Sequence, residues 1–155
     1  KPELSPHEEM DVCTLLGDCY FALKNYDAAV AAYKRTLKIE TNAFEALLPM
    51  VQALQALHRK EEALMWLNSA LQYENYEEPL VARAKLHRAM ANEEAALADW
   101  EVLVKENPQN LQYQVARAEM LLAVGKKKKA KDAVKKLLHA GFPHRELPAQ
   151  LQEIK

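Results

Sequence analysis

Val81-Ala82-Arg83-Ala84 recurs as Val115-Ala116-Arg117-Ala118, 34 residues further along the chain. The alanines Ala29, Ala63, Ala96 and Ala130 follow one another at steps of 34, 33 and 34. A fixed period in this range marks one supersecondary unit that is copied and stacked, because a single copy cannot bury its apolar face alone. The period sets the fold class before any local reading. It also bounds the functional claim, since stacked helical repeats present surfaces rather than catalytic clefts.

Outward from these stretches, the apolar spacing is helical throughout and no segment reads as a strand. Ser5-Pro6-His7-Glu8 is a helix start, with Ser5 as N-cap, Pro6 in the first turn and Glu8 closing a capping box. That helix should run to Leu23, break at Asn25, and be followed by a second capped by Asp27. Further breaks are expected at Thr41-Asn42, His58-Arg59, Asn75, Asn92, Asn107-Pro108 and Gly125, and the last stop at Gly141 with Pro143 behind it. Eight helices of about 14 residues follow, joined by turns short enough to make neighbours antiparallel.

The unit resembles the tetratricopeptide repeat. Its first copy carries Leu16-Gly17 with Tyr20, then Ala29 and Tyr33, with Cys13 in the leading aromatic slot. The second has Leu54, Ala63, Leu67 and Ala70; the third Leu80, Ala84, His87, Ala96, Trp100 and Pro108; the fourth Ala118, Leu121, Ala130, Val134 and Leu137. The resemblance implies an all-α chain, an α-solenoid of four helix-turn-helix repeats over approximately 10–43, 44–76, 77–110 and 111–143. Leu147, Leu151 and Ile154 form a weak stripe in a short capping helix over 144–155, and the whole reads as a single domain. Three features depart from the motif. Val51 replaces the expected Gly, Pro49 stands inside a helix, where it either delays the start to near Leu47 or kinks it, and Gln114 fills an apolar slot and should loosen the fourth copy.

Composition excludes more than it assigns. Net charge is −1, so the whole molecule gives no nucleic-acid argument. The distribution is uneven: residues 1–77 hold 7 Lys+Arg against 12 Asp+Glu, and residues 78–155 hold 14 against 10. Cys13 and Cys19, ~9 Å apart along one helix, are too far apart for a disulfide and read as two buried, reduced thiols. Ser5 and Ser69 lie in no nucleophile context, and the isolated Gly17, Gly125 and Gly141 cannot form a phosphate-cradling loop. The five histidines lack metal spacing. No catalytic residue, metal site or cofactor is expected. No run approaches a membrane span and no signal-peptide pattern occurs in this stretch, which with two reduced thiols leads to the expectation of a cytoplasmic protein. The chain begins at Lys1 without Met and reads as a piece of a longer protein.

The expected function is protein–protein interaction, a scaffold or adaptor module whose concave face takes a partner peptide or domain. In the repeat register that groove is lined by Asp11, Asp18, Glu45, Leu48, Gln52, Val81, Lys85, Arg88, Val115, Glu119 and Leu122, joined by Thr14, Glu78 and Gln112. Some members of the resembled family clamp the terminal carboxylate of chaperone tails with Lys, Asn and Arg. Here the matching positions are Thr14, Asp18, Pro49, Glu78 and Ala82, an acidic or neutral set, so chaperone-tail binding is not expected. Arg83 and Arg117 should stand ~10 Å apart as a ladder. Their heads either pair locally with Glu101 or Glu119, or reach the groove beside Lys85 and Arg88 to grip acidic partner side chains.

The strongest charge run is Lys126, Lys127, Lys128, Lys129, Lys131 and Lys135, with Lys136, against Asp132 alone. The alternative function is a basic convex surface here for RNA or anionic membrane. RNA is the weaker choice, since no aromatic lies within the run to stack on bases. Self-association into a homo-oligomer is a third reading.

Overall fold

The computed structural model describes residues 2–154. The helices are α1 (Pro6–Ala22), α2 (Tyr26–Ile39), α3 (Phe44–Ala56), α4 (Lys60–Ala70), α5 (Glu77–Ala89), α6 (Glu93–Glu106), α7 (Leu111–Ala123), α8 (Lys127–His139) and α9 (Ala149–Gln152), with a 3-10 turn, His144–Glu146, before the last. No strand occurs among the described residues. The fold is all-α: eight helices packed in pairs, then a short C-terminal helix. The chain divides into two compact units, one ending at Ala82 and one beginning at Arg83, so the division falls within α5.

Local chemistry explains the helix boundaries. Ser5 forms the full capping box with Glu8. The cap of α2 is Asn25, whose side chain accepts from the Ala28 N–H, and not Asp27, which lies in the first turn. The turns within hairpins follow one pattern. Lys24, His58, Ala91 and Gly125 all have φ between 56° and 81°, and they lie one repeat period apart. The N–H of the next residue returns to a carbonyl five back: Asn25 to Tyr20, Arg59 to Leu54, Asn92 to His87 and Lys126 to Leu121, at 2.8–2.9 Å. This is the Schellman closure, which satisfies carbonyls at each helix end. Gly fits the left-handed residue without strain, yet only the fourth copy uses it.

In the first unit, α1 packs on α2, α2 on α3, α3 on α4, and α1 also reaches α3. Gly17 allows the tightest of these approaches. A Cβ there would lie 2.5–2.9 Å from ring atoms of Tyr33, which is fully buried. The ring is held at its far end as well, since its hydroxyl donates to Asp18 at 2.6 Å. Burial, reinforced by this carboxylate, pushes the Tyr33 phenol well above its ordinary range. Thr36, also buried, pairs with Thr14 at 3.0 Å and donates to the Met10 carbonyl. Pro49 does not delay α3, which is already helical at Phe44 and continues past the proline to Ala56. Cys19 is exposed, so only Cys13 is a buried thiol.

In the second unit, α7 packs on α6 and α8, and α9 touches both α7 and α8. Val115, Ala118, Val134, Leu137, Phe142, Leu147 and Leu151 form one buried cluster, with Leu111, Leu122, Ala133 and Ile154 against it. The expected C-terminal cover thus exists, with its α-helical part limited to one turn. Gln152 fastens it by donating to the Leu147 carbonyl at 2.6 Å. Gln114, half-buried, donates to the Pro108 carbonyl at 2.7 Å and ties α7 to the preceding loop.

Candidate partner-binding surface

In the first unit the expected groove positions recur on α1 and α3 in the same register. Asp11 and Asp18 are exposed on α1; Glu45 and Gln52 are exposed and Leu48 half-buried on α3. Asp11 lies 3.7 Å from His7, and Asp18 accepts from Tyr33. Val81, on α5, is half-buried. These positions on α1 and α3 offer three exposed carboxylates, Asp11, Asp18 and Glu45, and one half-buried apolar side chain, Leu48.

The second unit places a cavity of about 310 Å³ among Arg88, Glu93, Glu119, Met120, Leu122, Ala123 and Gln150. Three of the expected groove residues, Arg88, Glu119 and Leu122, come together here. Arg88 binds Glu119 through both terminal nitrogens at 3.1 Å, a fork geometry available to guanidinium but not to ammonium. Met120, Leu122 and Ala123 supply the apolar side. Lys85 is exposed on α5. Val115 is a correction to the expected groove: it lies in the core cluster with Leu137 and Leu151 and offers no surface. Glu93, at the start of α6, and Gln150, on α9, escaped sequence reasoning because a position outside the repeat register gives no sign of reaching this cavity.

Of the two outcomes expected for Arg83 and Arg117, the structure shows local pairing. Arg83 donates to buried Asp99 on α6 through Nε at 2.9 Å and a terminal nitrogen at 2.7 Å, a carboxylate absent from the sequence expectation. Arg117 lies 3.9 Å from Glu101. Both heads thus pair with carboxylates of α6. His87, in the same helix as Arg83, keeps a buried Nδ1 without a hydrogen-bond partner. Burial pulls its pKa below the ordinary imidazole value, opposed by Asp99 and assisted by Arg83.

The lysine run opens α8. Lys126 is the N-cap residue, Lys127–Lys129 fill the first turn without any acidic residue, and Lys126–Lys129 and Lys135 are exposed while Lys131 is half-buried. This is the helix end at which positive charge is disfavoured. Six of the other seven long helices carry acid in the first turn.

A second cavity, about 390 Å³, lies in the first unit among Thr41, Asn42, Ser69, Ala70, Gln72, Tyr73 and Tyr76. Asn42 donates to the Tyr76 hydroxyl at 3.2 Å, and the Tyr76 ring stands edge-on to Phe44, centroids 4.9 Å apart. No group of three or more His, Cys, Asp or Glu suited to a metal occurs among the described residues. No described helix is long and apolar enough to cross a membrane.

The tetratricopeptide repeat family matches residues 11–43, the span that holds Gly17 and Tyr33. The chain thus carries one tetratricopeptide repeat at residues 11–43. Solved structures agree on the fold across most of the repeat protein's length. MamA from Desulfovibrio magneticus RS-1 superposes with a TM-score of 0.73 at 16% identity, over 85% of this chain and 75% of that one. The first TPR domain of human RPAP3 gives 0.65 at 21%, over 81% and 98%. YrrB, a TPR protein with an unusual peptide-binding site, gives 0.64 at 14%, over 79% and 64%. At these identities the likeness establishes the fold. No curated protein sequence matches the chain significantly.

Proposed function

We propose that this repeat protein is a scaffold or adaptor module that binds a segment of a partner protein on the exposed faces of its first-in-hairpin helices. The supporting observation is the cavity of the second unit, where Arg88, Glu119 and Leu122, assigned to a binding face from repeat register alone, line one concavity. Its apolar side accepts one anchoring side chain, and the forked Arg88–Glu119 pair with nearby Lys85 selects an acidic neighbour on the partner. On α1 and α3, Asp11, Asp18 and Glu45 favour basic partner residues. Tetratricopeptide repeats commonly mediate protein–protein interaction, and YrrB's peptide-binding site is a precedent on the same fold.

The test is a pull-down with the chain and with a Lys85→Glu, Arg88→Glu variant, read by quantitative mass spectrometry and followed by titration of the recovered partner. The variant should lose that partner at least tenfold while its helical circular dichroism is unchanged. Equal affinity removes the second-unit cavity as the binding site.

A second reading rests on the lysines that open α8. A helix that tolerates three cations at its positive end is matched to an anionic surface, RNA or lipid headgroups. Binding of the chain to anionic vesicles or RNA at low salt, lost in Lys127→Gln, Lys128→Gln, Lys131→Gln, is the expected result; absence of binding by the unaltered chain ends this reading.

A further inference from the structure

The cavity of the first unit is uncharged. It holds about 390 Å³ between two turns: the one that links α2 to α3, with Thr41 and Asn42, and the one that links α4 to α5, with Gln72, Tyr73 and Tyr76. Ser69 and Ala70 close it from the end of α4. No Asp, Glu, Lys or Arg lines it, in a chain of which 28% is one of these four. The second-unit cavity is the contrast, with Arg88, Glu93 and Glu119 in its wall.

Asn42, Tyr76 and Asn110 stand one repeat period apart. Asn110 uses its side chain on its own helix, accepting from the Tyr113 N–H at 3.2 Å as the cap of α7. Asn42 is used differently. Ala43 stands at the cap position of α3 with no side-chain bond there, and the Asn42 amide donates across to the Tyr76 hydroxyl at 3.2 Å. That bond ties two successive turns together. Tyr76 is fixed at both ends, by its edge-on ring contact with Phe44 and by Asn42 and the Glu74 carboxylate at its hydroxyl, the latter raising its pKa. Around this fixed frame, polar groups are left over. Among the described residues, no hydrogen bond ties the side chains of Thr41, Ser69, Gln72 and Tyr73 to the rest of the chain.

The chemistry of these groups specifies the ligand. The hydroxyls of Thr41, Ser69 and Tyr73 each donate and accept, and the Gln72 amide carries one group of each kind. Such a wall has no charge to hold a phosphate, a carboxylate or an ammonium group. It matches a neutral ligand whose own groups both donate and accept. Tyr73, 91% exposed, adds a bare aromatic face at the rim. A flat apolar ring beside hydroxyls and an amide is the complement of a sugar ring, which carries C–H bonds on one face and hydroxyls round its edge. We infer that this cavity binds a neutral saccharide, with Tyr73 against the C–H face and Thr41, Asn42, Ser69 and Gln72 bonded to its hydroxyls. The volume lies at the small end of ligand pockets, which run from ~300 to ~1,000 Å³, and suits a mono- or disaccharide. The cavity shares no residue with the surfaces proposed above.

The probes are N-acetylglucosamine, maltose, cellobiose and mannobiose, titrated at millimolar concentration into the isotope-labelled whole chain and read from its amide chemical shifts. At least one should saturate, shifting amides within 41–43 and 69–76, with an affinity unchanged by salt because no charges pair on binding. The double variant Ser69→Ala, Tyr73→Ala, at two exposed positions, should weaken that binding at least tenfold while its circular dichroism is unchanged. No saturable shift with any of these sugars overturns the proposal, as does equal affinity in the double variant or the same shifts with glycerol. Saturation of these amides by acetyl-Asn-Gln-amide and by no saccharide also overturns it, assigning the cavity to a partner protein.

Discussion

The first hairpin and the last are built on one plan and finished differently. In the last, the tail from Phe142 to Leu151 folds back and seals α7 and α8 with Phe142, Leu147 and Leu151. In the first, α1 keeps Val12, Leu15, Leu16 and Leu23 in solvent, and the packing effort is spent inward, where the Tyr33 ring fills the notch above Gly17. Their turns differ in the same sense: Lys24 accepts φ 58°, whereas Gly125 takes φ 81° without a side chain to strain. A repeat specifies its hairpin, but the treatment of an outer face is a separate decision, made by residues outside the repeat.

The sharpest break of this comparison is Leu151→Ala, which removes the most buried side chain of the cover. It should cost about 2–4 kcal/mol in chemical denaturation, as expected for a buried leucine. Leu15→Ala on the first hairpin should change stability by no more than about 0.5 kcal/mol, as at other exposed sites. Equal costs at the two positions would show that the two outer faces are treated alike.

Gly17→Ala comes next. The new methyl meets a ring that is buried and hydrogen-bonded at its hydroxyl, so neither partner can yield cheaply, and a loss of about 1–3 kcal/mol is expected. The same readout with Tyr33→Leu added should recover part of the loss. In the second copy Val51 and Leu67 hold the corresponding positions, and both are buried without a glycine or a tyrosine.

The turns give a smaller, opposite-signed pair. Gly125→Ala should destabilise by about 1 kcal/mol, because nothing lies near the added methyl and only the positive φ opposes it. Lys24→Gly should stabilise by about 0.5–1 kcal/mol for the same backbone reason. Thermal melts of both variants decide whether one turn geometry is shared by the first and last hairpins. The smallest effect belongs to the lysines of α8: Lys127→Gln with Lys128→Gln should shift stability by no more than about 0.5 kcal/mol, with any change toward greater stability as cations leave the helix N-terminus.

By itself the sequence determined the repeat period, the eight long helices, the turn positions at Asn25, Arg59, Asn92 and Gly125, and the leucines of the C-terminal cover. Each of these depends on interactions within about one repeat, so the spacing of apolar residues and the breakers between them suffice. The sequence pointed to Asp27 rather than Asn25 as the cap because two side chains two residues apart could each accept the free N–H groups, and backbone geometry chose between them. Tertiary structure alone decided that Arg83 pairs with Asp99, that Val115 is core, that Cys19 is exposed, and that Glu93 and Gln150 share a cavity with Arg88. These depend on which side chain a neighbouring helix brings within a few ångströms, and a helical period fixes which face a residue occupies without saying what stands opposite it.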